Sequence, residues 1–132
     1  MNEDYCSYEL SKALKGCGFD EPCDHYWYKV YTDSDKMEMR QALAYDYNND
    51  DWSVPHCSAP HIYYAQKWLR EKKGIAINVI AHDGGAYDYD IVFLPDAVDC
   101  DYPIDRATFS KTYEEALSEG VASALELIKK GA

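Results

Sequence analysis

The residues best equipped for chemistry are thiols and imidazoles gathered in two places: Cys17, Cys23 and His25, then His56 and Cys57. Thiolate and imidazole are the usual ligands of zinc. The first group, however, is spaced Cys-x5-Cys-x-His, whereas a zinc knuckle aims two thiolates at one tetrahedral ion from a Cys-x2–4-Cys turn. Cys17 also falls on the apolar stripe of a helix, which argues for packing rather than ligation. Nucleophilic catalysis would need Cys57 beside His56, or Cys100 between Asp99 and Asp101. Neighbours in a chain rarely point at one another, and flanking carboxylates raise a thiol pKa instead of lowering it. The cysteines Cys6, Cys17, Cys23, Cys57 and Cys100 are odd in number and irregular in spacing. They read as free thiols in a reducing compartment, several buried as small apolar side chains.

Paired carboxylates are the next resource. Asp33/Asp35, Asp88/Asp90 and Asp99/Asp101 are each spaced i, i+2, which on a strand puts both side chains on one face. Asp88 and Asp90 could then share a cation, but they also fit the wet face of a strand whose other face is Tyr87, Tyr89, Ile91 and Phe93. The wet-face reading is preferred. The run Asp46-Tyr47-Asn48-Asn49-Asp50-Asp51 opens like a calcium loop and then fails. Position six is Asp51 where glycine makes the turn, and position twelve is Cys57 where a bidentate glutamate is required. The chain has no Gly-x-Ser-x-Gly elbow, no Gly-x-x-x-x-Gly-Lys phosphate loop and no Gly-x-Gly-x-x-Gly. No catalytic residue, metal ligand or cofactor is therefore assigned.

What stands out is acid combined with tyrosine. From Asp83 to Asp105 the charged residues are all acidic, and the chain holds 13 tyrosines. Tyrosine supplies large contact area at low entropy cost, and carboxylates around it suit a basic partner. Tyr87, Asp88, Asp90, Asp99 and Asp101 are accordingly the candidate binding residues.

The elements that must position these residues can be read from periodicity. A helix is expected from about Asp4 to Gly16, with Cys6, Leu10, Ala13, Leu14 and Cys17 as its apolar stripe and Phe19 folding back onto it. Tyr26 to Tyr31 has strand character, and Met37 to Tyr47 alternates with period two. Met37 to Ala44 also contains good helix formers, but a hairpin with the preceding strand favours the strand. Asn48 to Cys57 reads as loop. Ser58 and Pro60 start a second helix whose buried face is Ile62, Ala65, Leu69 and the Tyr64–Trp68 pair, closed by Gly74. Ile75 to Ile80, the turn His82-Asp83-Gly84-Gly85, and Tyr87 to Leu94 form a second hairpin. Pro95 to Ser110 is expected as loop. Thr112 and Glu115 make a capping box for a last helix that ends at Lys129-Lys130-Gly131. The expected architecture is α+β: a single domain, residues 1–132, in which an antiparallel sheet of two hairpins, about four strands, packs with three helices in the order α-β-β-α-β-β-α.

Three stretches resemble a known group of proteins. They are Tyr5-Cys6-Ser7-Tyr8-Glu9-Leu10-Ser11-Lys12-Ala13-Leu14, then Ser58-Ala59-Pro60 with Ala65-Gln66-Lys67-Trp68-Leu69-Arg70-Glu71 and Gly74-Ile75, and finally Thr112-Tyr113-Glu114-Glu115-Ala116-Leu117 with Gly120 and Ala124-Leu125-Glu126-Leu127-Ile128. In these the chain resembles a family of small proteins encoded by phages and mobile elements of gut anaerobic bacteria. The resemblance implies a cytoplasmic accessory protein, and no catalytic or binding residue comes over with it.

Composition bounds what remains. The chain has 132 residues, 47% hydrophobic and 14% aromatic content, and a net charge of −11. That suits a soluble folded domain and is too apolar for a disordered acidic tail. The charge excludes non-specific binding to nucleic acid or anionic lipid. Met1 to Tyr5 carry acids and no base, with no apolar run after them, so no secretory signal or membrane span is expected and the location is cytoplasmic. The leading expectation is a non-catalytic protein-binding module for a basic partner, in its sharpest form a nucleic-acid mimic. A small-ligand or divalent-cation-binding domain is the alternative, and an enzyme built on Cys57, Cys100 or His82 is a third. Pairing of copies through an open sheet edge or the last helix is compatible with all three.

Overall fold

The structure, a computed structural model, describes residues 4–30, 36–49, 56–99 and 109–131. It is α+β, with three helices and two antiparallel sheets. The chain divides into two compact units, Met1–His61 and Ile62–Ala132. The two hairpins therefore belong to two separate sheets rather than one, and each sheet gains a short third strand.

In the first unit, helix α1 spans Tyr8–Gly16 and starts later than the expected Asp4. Ser7 decides this: it is extended, and its hydroxyl accepts from the Leu10 N–H at 3.2 Å, so it caps the helix. Cys6 lies outside, its N–H donating to the Pro60 carbonyl at 2.8 Å. The buried stripe is Leu10, Ser11 and Leu14, with Phe19 folded back behind it, whereas Ala13 is exposed. Strand β1 spans Cys23–Lys29, β2 Met37–Tyr45 and β3 His56–Ser58, in the order β2-β1-β3. The competition between strand and helix over residues 37–45 thus resolves to strand, paired antiparallel with β1.

Two expectations fail here. His56–Ser58 is a strand, pairing Tyr26 with Ser58 and Tyr28 with His56, so Ser58 caps no helix. Its hydroxyl instead accepts from the Tyr47 N–H at 3.1 Å, and its own N–H donates to the Asn48 side-chain oxygen at 2.8 Å. Nor does the alternation in β2 bury one face. The register runs from His25 opposite Gln41 to Cys23 opposite Tyr45, so Asp24 faces the extra residues around Leu43 in a bulge. Leu43 is 88% exposed and Tyr45 51%. The Tyr47 hydroxyl closes this bulge by donating to the Leu43 carbonyl at 2.6 Å.

The second unit comprises α2 (Ile62–Lys72), β4 (Ile75–His82), β5 (Ala86–Phe93), β6 (Val98–Asp99) and α3 (Tyr113–Lys129). The sheet order is β4-β5-β6, all antiparallel. Gly84 and Gly85 carry φ of +82° and +73° and make the expected hairpin turn. Pro60 sits two residues ahead of α2, whose buried face is Ile62, Ala65, Trp68 and Leu69. The expected loop after Pro95 contains β6, which pairs Asp99 with Val92 and Val98 with Phe93. Thr112 caps α3, its hydroxyl accepting from the Glu115 N–H at 3.0 Å. Helices α2 and α3 cover one face of the sheet, burying Ile75, Ile77, Tyr89 and Ile91 against Leu117, Val121, Ala124 and Leu125. Tyr89 satisfies its hydroxyl on Ser123 at 2.6 Å. Among the described residues no helix is long and apolar enough to cross a membrane.

Candidate functional site

The strand period separates the candidate residues. Tyr87 points to the same side of β5 as Tyr89 and Ile91, which the helices cover, while Asp88 and Asp90 emerge on the other. Asp90, opposite Asn78, is exposed; Asp88, opposite Ile80, is half-buried and accepts from the Tyr89 N–H at 2.8 Å. Asp99 occupies the position opposite Val92 on the far edge of β5. Asp101, like Cys100, Asp33 and Asp35, lies outside the described residues.

Two residues not singled out for binding by the sequence reading join the acidic face. His82 is opposite Ala86, which shares its strand face with Asp88 and Asp90. The Phe109 ring stacks on the His82 imidazole with centroids 4.6 Å apart and planes 6° from parallel. Phe109 stays 56% exposed. Its place is set by the next residue, since Ser110 exchanges backbone hydrogen bonds with Tyr87, both at 2.9 Å. The acidic face thus has an aromatic anchor beside its carboxylates. No local pattern marks Phe109, because the bridge that places it joins residues far apart in the chain.

Tyr87 belongs to a different cluster on the helix side. Its ring meets Tyr113 edge-on at 6.2 Å, and Tyr113 lies 6.2 Å from Tyr63. The Tyr63 hydroxyl donates to the Glu114 carboxylate at 2.5 Å and, with a backbone hydrogen bond, holds that carboxyl below its ordinary value.

In the first unit the sheet carries a row of tyrosines. Tyr26 stacks on Tyr47 at 4.6 Å, Tyr45 meets Tyr47 edge-on at 5.2 Å, and Tyr28 lies 6.1 Å from Tyr26. The Arg40 guanidinium covers the Tyr28 ring at 4.7 Å and donates to its hydroxyl.

The described residues among those considered for zinc or nucleophilic chemistry do not converge on one metal-binding centre. Cys17 is half-buried at the end of α1, and His25 sits between the Asp24 carboxylate, at 2.8 Å, and the Tyr5 ring. His56 is buried, with its carbonyl accepting from Lys15 at 3.0 Å. Cys6, Cys23 and Cys57 are buried thiols of the first core. Burial pushes Cys23 up to about 12 and Cys57 to about 11, and drives Cys6 higher still, so none offers a thiolate near neutral pH. Among the described residues no group of His, Cys, Asp and Glu could hold a metal ion. Comparison with protein-family models, curated proteins and solved structures gives no significant match.

Proposed function

We propose that the protein is a non-catalytic binding module, an accessory protein acting in the cytoplasm, which occupies a basic surface of a protein partner with the Asp88–Asp90 face of its second unit. The carrying observation is the exposed Phe109 ring stacked on His82 at 4.6 Å, on the strand face from which Asp88 and Asp90 emerge. Aromatic area buried at the centre of a contact supplies affinity, while the carboxylates steer encounter and fix orientation. The stretch from Asp83 to Asp105 contains no lysine or arginine to neutralise them. A partner that itself binds nucleic acid suits this face best, because carboxylates then stand where phosphates would.

The test is capture from lysate of the native host at low salt, comparing the unaltered protein with Asp88→Asn/Asp90→Asn and with Phe109→Ala. The reading expects one basic protein, released by moderate salt, competed off by nucleic acid and lost with the double variant. Phe109→Ala should weaken capture without changing its salt dependence, since it removes area and no charge. Equal capture by all three proteins would overturn the reading.

A further inference from the structure

The edge of the first sheet carries a separate inference, independent of the acidic face. Strand β2 ends the order β2-β1-β3, so among the described residues its outer edge pairs with no strand. Which backbone groups face outward follows from one bond: the Val30 N–H donates to the Lys36 carbonyl at 3.2 Å. In an antiparallel ladder, hydrogen-bonded and non-bonded pairs alternate. Glu38 opposite Tyr28 and Arg40 opposite Tyr26 are then the residues bonded inward to β1. The N–H and C=O groups of Met37, Met39 and Gln41 point away from the sheet.

Natural edges are commonly blunted by like charges, often lysines, that repel an incoming strand. This edge differs. Its charges are Glu38 and Arg40, two residues apart and therefore on one face, with opposite signs. They already meet at 3.4 Å, and Tyr28 holds the guanidinium over its ring at 4.7 Å. An antiparallel copy centred on Met39 would place Met37 opposite Gln41, Met39 opposite itself, and each Glu38 opposite Arg40 of the other chain. The outward groups of Met37, Met39 and Gln41 would make the ladder bonds. The two Glu–Arg pairs would fall at the non-bonded sites, where facing side chains approach most closely. A register shifted by one residue would put the outward groups out of phase. The bulge beyond Gln41 bends the strand away and ends the pairing there.

We propose that Met37–Gln41 is a self-complementary edge through which two copies of this chain pair as an antiparallel dimer with a two-fold axis at Met39. Such an interface is isologous, so one substitution changes both of its Glu–Arg pairs at once.

Light scattering on the full chain over a concentration series, at roughly physiological ionic strength, reads the outcome. The mass should rise from 15.1 kDa toward twice that value. Glu38→Arg and Arg40→Glu each make both cross-chain pairs repulsive, and each should weaken association by about tenfold or more. An equimolar mixture of these two variants restores opposite charges at every pair and should dimerise, as should the double variant Glu38→Arg/Arg40→Glu. Circular dichroism checks that the variants fold. Should either fail, hydrogen exchange on the unaltered chain still decides: the Met37, Met39 and Gln41 amides should gain protection with concentration, and those of Glu38 and Arg40 should not. A chain that stays monomeric at every concentration overturns the proposal. So does a dimer indifferent to the single variants, a mixture that fails to associate, or protection that ignores concentration.

Discussion

A Cβ added to Gly120 would lie 2.6 Å from the Ile77 Cγ2 and 3.3 Å from the Tyr89 ring. Helix α3 comes this close to the β4–β5 hairpin only because glycine stands at the crossing. Alanine is intrinsically the better helix former by about 1 kcal/mol, but here its methyl meets a β-branched side chain with restricted rotamers. Gly120→Ala should therefore destabilise the protein by about 1–3 kcal/mol, as overpacking does. Chemical denaturation measures it. Combination with Ile77→Ala should cost less than the sum of the two single changes, because the second removes the methyl that the first collides with.

The three thiols of the first core predict an alkaline loss of stability. Burial raises Cys23 to about 12 and Cys57 to about 11, above the ordinary 9.0 that governs the unfolded chain. Above that ordinary value the unfolded state sheds protons that the folded state retains, so stability falls with rising pH. It is fully present below 9.0 and is lost progressively toward the raised values. Thermal melting across this range should show the decline, and Cys23→Ala/Cys57→Ala should flatten it. Alkylation of the native protein should reach Cys17, which is half-buried, well before these thiols.

Tyr47 is buried, and its hydroxyl donates to the carbonyl of Leu43 at 2.6 Å. Tyr47→Phe keeps the stacked ring and removes this bond. The expected loss is about 0.5–1.5 kcal/mol, with faster hydrogen exchange confined to residues 42–45. A change spread evenly over the first unit would contradict the role given to this bond in holding the bulge.

Tyr63→Phe tests the helix-side cluster. Without the hydroxyl, the Glu114 carboxyl should return upward toward its ordinary 4.5, a shift that an NMR titration follows directly. The sign for stability is that of a lowered carboxyl: its contribution is present above the ordinary value and vanishes as the pH falls through the lowered one. The variant should lose the part of that acid-side dependence that the Tyr63 hydroxyl supplies and keep the part due to the backbone hydrogen bond.

Elements with local signals were legible. The Thr112 cap, the apolar repeat from Ala116 to Ile128 and the Gly84-Gly85 turn are short-range patterns, and α3 and the β4–β5 hairpin follow them. The wet-face reading of Asp88 and Asp90 was also available, because alternation needs only the strand itself. The His56–Ser58 strand was not, since the segment it pairs with, Tyr26 to Tyr28, lies far back along the chain. Ser58 followed by Pro60 imitates a helix start, and only pairing with β1 shows that the serine works within a sheet. The candidate surface was half legible: its acids are visible in composition, whereas Phe109 reaches His82 through a long-range bridge between Ser110 and Tyr87.

The sequence by itself determined the helices, the two hairpins, the acidic character of the second hairpin and the α+β class, since capping, turn chemistry and periodicity act over a few residues. Only the tertiary structure decided that the hairpins lie in separate sheets, that Phe109 stacks on His82, and that Leu43 stands exposed in a bulge. Those outcomes depend on which distant segments compete successfully for a strand's free hydrogen bonds and for space against a helix, and that competition is settled by packing.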